Sequence, residues 1–243
     1  MRVLFLHGAG LTKAMWRPQL DALSPELDVT AIDLPGHGER ASERFSFAAA
    51  LVLVEETVGD DAPAVLVGLS LGGYVALIAA RDRPQLAAGL VLTGSSVDYS
   101  RGGQRFVAFA GEVFQRGWPK RLLRGAQGAA FRRDYPVWAD ELIAGGTYWR
   151  GYAEALRAAR RVRWHECLGS YGGEVLVLNG ARDAPHVRAQ AKLLSGVAHG
   201  RAELIPDAGH LASLDRPDAY TDAVRRFVGT LDGRSAGTAR APA

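Results

Sequence analysis

Short apolar runs alternate with segments of helical periodicity along most of the chain, and this alternation constrains the fold more than any other feature of the sequence. Runs of aliphatic and β-branched residues that end in small or polar residues are typical of strands buried on both faces of a sheet. The runs are Arg2–Leu6, Val29–Ile32, Ala64–Val67, Gly89–Leu92, Glu174–Leu178 and Arg201–Ile205. Strands that alternate with helices predict an α/β protein, with a mostly parallel sheet and helices on both faces.

The alternation stops between residues 97 and 170, where the periodicity is helical and no strand is apparent. This stretch follows the fourth predicted strand, so we interpret it as a helical cap over the C-terminal edge of the sheet, where ligands bind in open α/β sheets. The predicted core comprises residues 1–96 and 171–231. Residues 232–243 are mostly small and polar, and we expect them to form a disordered tail.

Composition excludes several classes of protein. The 243 residues are 48% hydrophobic, which argues against general disorder, and Cys167 is the single cysteine, which excludes a disulfide scaffold. No run reaches the roughly 18 to 20 apolar residues of a membrane-spanning helix. The apolar run at the start is too short for the core of a signal peptide, so we expect a cytoplasmic protein. The net charge of +3 comes without a recognisable nucleic-acid-binding module.

Gly68-Leu69-Ser70-Leu71-Gly72 lies between a predicted buried strand and a predicted helix. This is the G-x-S-x-G pattern of a nucleophile elbow, in which a tight turn requires small residues two positions before and after the serine. Ser70 then lies at the N-terminus of a helix, where the peptide dipole favours developing negative charge. The pattern predicts that Ser70 is a nucleophile.

The segment His7-Gly8-Ala9-Gly10 directly follows the first predicted strand. A glycine-rich loop at this place turns a backbone N–H toward the site and forms half of an oxyanion hole, and the N–H of Leu71 forms the other half. The loop also partly matches a dinucleotide-binding fingerprint, because Gly8-x-Gly10 opens a helix and Asp33 ends the next strand. That match is incomplete, since Lys13 stands where the third glycine belongs.

A serine nucleophile needs a base, and the base needs an acid that orients it. Asp183 follows the fifth predicted strand and His210 follows the sixth, so Ser70, Asp183 and His210 occur in the chain order expected on this kind of fold. We interpret His7 and His37 as structural and His186 as a surface histidine beside the acid. No two histidines have helical ligand spacing and Cys167 has no cysteine partner, so no metal is predicted.

Five motifs together resemble the α/β-hydrolase superfamily, over nearly all of residues 1–231. They are HGAG at 7–10, DLPGHG at 33–38, GLSLGG at 68–73, NGARD at 179–183 and PDAGH at 206–210. Within the superfamily, the chain is similar to small capped serine esterases of the pimeloyl-ACP methyl ester esterase and enol-lactonase type.

The resemblance implies Ser70 as nucleophile, Asp183 as acid, His210 as base, Ala9 and Leu71 as N–H donors to the oxyanion, and no cofactor. One feature departs from the family pattern. Because His7 follows the first strand directly, the usual N-terminal antiparallel hairpin is expected to be absent, and the sheet to have about six parallel strands.

These observations predict a cofactor-free serine hydrolase that cleaves a carboxylic ester, thioester or lactone of a small molecule through an acyl-enzyme. The same triad suits a C–C bond hydrolase or a lyase, and a small-molecule receptor with little turnover is a third alternative. The sequence leaves the substrate and the oligomeric state open.

Residues 98–173 combine many aromatic residues with many arginines. One interpretation is that the aromatic residues pack the cap onto the sheet and the arginines are solvated. The other is that arginines such as Arg132, Arg133, Arg160 and Arg161 form a cationic rim for an acidic substrate. We favour a hydrophobic pocket for neutral or aromatic acyl groups.

Overall fold

A computed structural model describes residues 1–100 and 119–238 of the protein. Within them, six parallel strands form one sheet in the order β2-β1-β3-β4-β5-β6. The strands are β1 (Arg2–Leu6), β2 (Asp28–Ile32), β3 (Ala64–Leu69), β4 (Ala87–Thr93), β5 (Glu174–Gly180) and β6 (Gly200–Ile205). The predicted fold class is confirmed, and all six strands of the described residues are parallel.

Helices follow or connect the strands. The α-helices of the described residues are α1 (Arg17–Leu23), α2 (Phe47–Val58), α3 (Leu71–Asp82), α4 (Lys120–Asp134), α5 (Ala139–Gly145), α6 (Trp149–Ala159), α7 (Ala184–Leu193), α8 (Ala212–Asp215) and α9 (Pro217–Thr238). Short 3-10 helices span Lys13–Trp16, Gly38–Arg40, Pro84–Leu86 and Trp164–Glu166. None of the described helices is both long and apolar enough to cross a membrane.

The central strands are buried on both faces, and successive side chains alternate between two hydrophobic clusters. Leu4 and Leu6 of β1 pack into the cluster that contains α2 and α3, whereas Val3 and Phe5 pack into the cluster that contains α1 and α9. This alternation follows from the two-residue period of a strand. It also explains why the strands are continuous apolar runs in the sequence.

The order of the strands creates a crevice at one place on the sheet. From β1 the chain passes to β2 at one edge, and then returns to β3 on the other side of β1. Ligands in open α/β sheets bind outside the carboxyl ends of the strands at such a switch point. The residues that directly follow β1 and β3 therefore face a natural site.

The described part of the insertion between β4 and β5 is helical and contains α4, α5 and α6. Its return to the core is anchored by Trp164, which is fully buried and packs against Tyr74 with ring centroids 4.3 Å apart. The aromatic residues Phe106, Phe109, Phe114 and Trp118 lie outside the described residues.

Helix α9 continues to Thr238. The expectation of a disordered tail over residues 232–243 stays a prediction. Residues 239–243 lie outside the described residues.

Candidate active site

Ser70 occupies a sharp turn between β3 and α3. Its φ of 52° lies in the left-handed region, which non-glycine residues rarely adopt. The Ser70 N–H donates to the carbonyl oxygen of Thr93 on the neighbouring strand at 2.7 Å, which holds the turn against β4. Backbone strain that is held in place by surrounding structure is a recurrent feature of active sites.

Two glycines make this turn possible. A Cβ at Gly68 would collide with the backbone carbonyl of Gly72, and a Cβ at Gly72 would collide with the carbonyl oxygen of Leu6. The Gly72 N–H instead donates to the carbonyl oxygen of His7 at 3.0 Å, which ties the start of α3 to the end of β1. The elbow pattern therefore has the physical basis expected from the sequence, namely the absence of side chains at the points of closest approach.

The loop after β1 lies directly beside the elbow, since a Cβ at Gly8 would be 3.7 Å from the Cβ of Ser70. Neither the Ala9 N–H nor the Leu71 N–H takes part in the turn and loop hydrogen bonds of the described backbone. Both residues line the same cavity as Ser70. The arrangement leaves two N–H groups beside the serine that are suited to binding a negatively charged oxygen.

Gly10 fixes this loop through both of its backbone polar groups. Its N–H donates to Nε2 of His37 at 3.0 Å, and its carbonyl oxygen accepts from the N–H of Tyr148, at the start of α6, at 3.3 Å. Helix α6 also packs closely against the loop after β2, because a Cβ at Gly151 would lie 2.6 Å from Cε1 of His37. The insertion thus contacts the loop that carries Ala9.

His7 and His37 are buried, and backbone groups occupy both nitrogens of each ring. His7 Nδ1 bonds the carbonyl oxygen of Gly8 at 2.9 Å, and its Nε2 accepts from the Leu34 N–H at 2.9 Å. Burial lowers the pKa of His7 to about 3 and also lowers the pKa of His37. Both rings remain neutral and hold the two glycine-rich loops together, as the structural interpretation requires.

His210 and Asp183 come from the loops after β6 and β5. Nδ1 of His210 lies 2.7 Å from Oδ2 of Asp183, so the ring donates its Nδ1 proton to the carboxylate. Burial opposes the ionisation of Asp183, but the hydrogen bond from His210 and the nearby ring of His186 hold the pKa of this carboxyl below its usual value. The ring of His210 also packs on Gly94, because a Cβ at Gly94 would lie 2.6 Å from Cε1 of His210.

Asp215 holds the loop that carries His210, and sequence reasoning gave it no role. Its carboxylate accepts from the Gly209 N–H at 2.6 Å and from the Tyr135 hydroxyl at 2.8 Å. Tyr135 follows α4, so its hydrogen bond to Asp215 links the insertion to the loop that carries His210. The position of Asp215, shortly after His210 and just before the C-terminal helix, was the only available signal. Asp207 instead forms exposed ion pairs with Arg182 and Arg216.

The interpretation of His186 as a surface histidine was wrong. His186 is buried, its Nδ1 accepts from the Ser96 N–H at 3.0 Å, and its ring centroid lies 5.3 Å from that of His210. Its position on the first turn of α7 turns the ring inward, beneath the segment that follows β4. Sequence spacing does not reveal this, because the Ser96 contact joins distant segments.

Among the described residues, Asp183, His186 and His210 place potential metal-ligand atoms within 4.8 Å of one another. Burial lowers the pKa of His186 to about 4, so the ring is neutral and carries one proton. Because Nδ1 accepts a hydrogen bond from the backbone, that proton is on Nε2 and neither nitrogen has a free lone pair. A metal ion needs a deprotonated nitrogen, so this arrangement does not fit a metal ligand.

Both carboxylate oxygens of Asp33, the residue that matched the dinucleotide fingerprint, accept hydrogen bonds from the protein backbone. One oxygen accepts from the Lys13 N–H at 2.7 Å and the other from the Glu39 N–H at 3.0 Å. A dinucleotide-binding acid instead bonds the ribose hydroxyl. The hydrogen bonds of Asp33 therefore argue against the fingerprint.

Cys167 is a buried free thiol. Burial raises its pKa to about 11, which keeps it protonated at neutral pH. The thiolate is the reactive form of cysteine, so Cys167 does not compete with Ser70 as a nucleophile.

One cavity of about 190 Å³ joins the elbow, the loop after β1 and the base. Ser70, Leu71, Ala9 and His210 all line it. Helix α6 closes one side, and the residues it contributes are Tyr152, Ala155, Leu156 and Ala159. No arginine or lysine belongs to the described lining. The structure therefore brings the predicted site residues together, with Asp183 behind His210.

The four arginines considered for a cationic rim are not among the described residues that line this cavity. Arg132 lies 3.8 Å from Asp140, and Arg133 forms an exposed ion pair with Asp134 at 2.7 Å. These contacts agree with the interpretation of a solvated outer face for that part of the insertion.

The model of the Alpha/beta hydrolase family matches residues 3–223. The chain belongs to this family. It is 29% identical to the pimeloyl-[acyl-carrier protein] methyl ester esterase of Neisseria meningitidis serogroup B, strain H44/76, over 93% of this chain and 92% of that protein. The resemblance stated from the motifs is confirmed.

Solved structures agree on the fold. A thermophilic esterase from Thermogutta terrifontis, solved with malate bound, superposes with a TM-score of 0.77 at 26% identity and covers 95% of this chain and 90% of that one. The enol-lactonase from Burkholderia xenovorans LB400 superposes with a TM-score of 0.78 at 22% identity over 94% and 91% of the two chains. At that identity the second likeness concerns the fold alone.

Proposed function

We propose that the protein is a serine hydrolase that cleaves a carboxylic ester, thioester or lactone through a Ser70–His210–Asp183 triad and an acyl-enzyme. The observation that carries the proposal is that a strained elbow serine and a carboxylate-bonded histidine line one cavity. The similarity to a protein named as a methyl ester esterase supports an ester as the bond that is cleaved.

His210 is the general base in this proposal. Because its Nδ1 proton is donated to Asp183, its Nε2 carries the lone pair that accepts the Ser70 proton. Asp183 holds this tautomer and stabilises the imidazolium that forms when the proton arrives. The lowered pKa of Asp183 keeps the carboxylate ionised at neutral pH, as this role requires.

The Ser70 oxygen then attacks the carbonyl carbon, and the carbonyl oxygen becomes an oxyanion. The N–H groups of Ala9 and Leu71 bind that oxygen, and preorganised donors of this kind commonly supply about 3 to 4 kcal/mol each toward the transition state. Protonated His210 gives its proton to the departing alcohol, thiol or lactone oxygen. Water activated by the same histidine hydrolyses the acyl-enzyme and regenerates Ser70.

No cofactor enters this chemistry, and the partner is a small-molecule substrate. We propose that residues 97–170 form a cap over a core of residues 1–96 and 171–231, because helix α6 of the insertion lines the cavity. We also propose that the protein acts in the cytoplasm, which agrees with a single cysteine that is a buried free thiol.

The test is active-site labelling together with turnover. A fluorophosphonate probe is expected to label the protein and to leave Ser70→Ala unlabelled, and Ser70→Ala is expected to lose on the order of 10⁶-fold in kcat. Ser213→Ala is the control, since Ser213 is a buried serine that is not among the residues that line the cavity. Equal labelling of Ser70→Ala would overturn the proposal. Tight binding of esters by the wild type without turnover would favour a receptor.

A further inference from the structure

Among the described residues that α6 contributes to the cavity wall, only Tyr152 has a polar side-chain group, its hydroxyl. The ring of Tyr152 lies against the loop after β1, since a Cβ at Gly10 would be 3.2 Å from its Cδ2. The side chain is partly buried and lines the cavity together with Ser70. Its position is therefore fixed by packing next to the site where an ester would react.

The Tyr152 hydroxyl makes no hydrogen bond to any other described residue, in contrast to the tyrosine beside it in the cavity. Tyr74 donates its hydroxyl to the carbonyl oxygen of Val97 at 2.8 Å, so its hydrogen-bonding capacity is used within the protein. A hydroxyl that lines a cavity and has no partner among the described residues is suited to binding a polar group of a ligand. Burial raises the pKa of Tyr152, so the hydroxyl remains a donor at neutral pH.

The described surroundings of this hydroxyl disfavour an anionic partner. The neighbouring lining consists of the apolar residues Ala155, Leu156 and Ala159, and the described lining holds no arginine or lysine that would pair with an anion. Tyr99 also lines the cavity, and burial, the neighbouring Tyr152 and the charge of Asp183 raise its pKa to about 12. An anionic group placed here would lie near that carboxylate, with no arginine or lysine among the described lining residues to pair with it. A phenol next to apolar walls matches an uncharged oxygen acceptor.

We propose that Tyr152 determines specificity by donating a hydrogen bond to an uncharged oxygen of the substrate, such as a ketone, ether or second ester oxygen, away from the bond that is cleaved. This inference rests on the proposed ester hydrolysis. It predicts that the preferred ester carries an oxygen acceptor at one particular position along its chain.

The experiment compares p-nitrophenyl hexanoate with its 3-oxo, 4-oxo and 5-oxo derivatives, and with the mono-p-nitrophenyl ester of hexanedioate, which bears a free carboxylate. For the wild type, kcat/KM for one oxo ester is expected to exceed that for hexanoate by about tenfold, and the carboxylate is expected to be poorer than that oxo ester. In Tyr152→Phe the oxo preference is expected to fall by about 3- to 10-fold, the size of one lost hydrogen bond between neutral groups.

Tyr148→Phe is the matched control. Tyr148 is at the start of the same helix, but its ring packs toward His37 with centroids 6.0 Å apart, and it does not line the cavity. Its oxo preference is expected to equal that of the wild type. The inference is overturned if no oxo ester is preferred, if Tyr152→Phe retains the preference in full, or if the carboxylate ester is the best substrate.

A binding measurement separates this inference from the proposed function. If the wild type does not hydrolyse even p-nitrophenyl acetate, the proposed function fails. Calorimetric titration of Ser70→Ala with the oxo esters and the hexanoate, with and without Tyr152→Phe, then tests the hydroxyl by itself. Tighter binding of one oxo ester that is lost with the hydroxyl supports the inference, and equal binding of all esters overturns it.

Discussion

The two sides of the cavity are built by different means. On the nucleophile side, after β1 and β3, the geometry is set by the backbone, through close approaches at glycines and the left-handed conformation of Ser70. On the base side, after β5 and β6, it is set by side chains, chiefly the contacts of His210 with Asp183 and of Asp215 with Gly209.

This difference indicates how each side fails. A change on the nucleophile side adds atoms where none fit, so it costs stability as well as activity. A change on the base side removes a charge or a hydrogen bond while the chain still folds, so it costs activity or changes its pH dependence. The following predictions test the contrast, from the largest expected effect to the smallest.

Asp183→Asn tests the base side at its acid. The amide cannot accept the Nδ1 proton with the strength of a carboxylate and presents a donor to the ring, so the wrong histidine tautomer is favoured and kcat is expected to fall by roughly 10⁴-fold. Thermal unfolding is expected to show a folded protein. Asp207→Asn is the control, because Asp207 forms only exposed ion pairs, and it is expected to stay within about threefold of the wild type. Equal losses in both variants would contradict the assignment.

Gly72→Ala tests the nucleophile side. The added Cβ collides with the carbonyl oxygen of Leu6, and overpacking of this kind lowers the free energy of unfolding by about 1 to 3 kcal/mol. Fluorophosphonate labelling is expected to fall together with stability in urea titrations. Gly229→Ala provides the contrast, since nothing lies within 4 Å of a Cβ there and Gly229 is inside α9. It is expected to be neutral or stabilising by up to about 1 kcal/mol. A stable, active Gly72→Ala would remove the steric argument.

His7 makes the free energy of unfolding depend on pH through the nucleophile side of the cavity. Its pKa is about 3 in the folded protein and near 6.5 when the chain is unfolded, so between these values the unfolded state binds the extra proton. The free energy of unfolding therefore decreases as pH falls from about 6.5 toward 3, by up to roughly 1.4 kcal/mol per pH unit for this residue. In urea titrations, the free energy of unfolding is expected to change less between pH 7 and pH 5 for His7→Gln than for the wild type. The same change in both proteins would rule out His7 as the cause of the pH dependence.

Asp215→Ala gives the smallest expected effect. It leaves the Gly209 N–H and the Tyr135 hydroxyl without their acceptor, which loosens the loop that holds His210. We expect kcat to fall by about 3- to 10-fold with little change in KM, since the net contribution of a typical hydrogen bond is about 0.5 to 1.5 kcal/mol. Asp222→Ala, at an exposed ion pair on α9, is the control. A loss confined to KM would indicate that Asp215 acts on substrate binding instead.

The sequence was most informative where local patterns determine the structure. Buried parallel strands are continuous apolar runs, and tight turns require glycine, so the sheet and the elbow at Ser70 were predictable from short segments. The meeting of Asp183 and His210 was also predictable, because each lies in a loop that follows a parallel strand and such loops lie at the same edge of the sheet. The catalytic roles of these residues remain predictions until the variants are measured.

Contacts between distant segments were not predictable. His186 faces inward because the Ser96 N–H binds its ring, and Tyr152 enters the cavity because α6 packs on the loop at Gly10. No local pattern encodes either contact, since each depends on how the insertion and the strand loops come together.

The hydrogen bonds of Gly10 to His37 and to Tyr148 have a consequence for how such enzymes diversify. The same helix that shapes the pocket also braces the loop that carries the Ala9 N–H. In chimeras that exchange the insertion between relatives, selectivity and turnover are therefore expected to change together, because a foreign helix alters the support of the loop as well as the pocket wall. Evolution of a new substrate range on this scaffold is constrained in the same way, unless the contacts to Gly10 are kept while the rest of the helix varies.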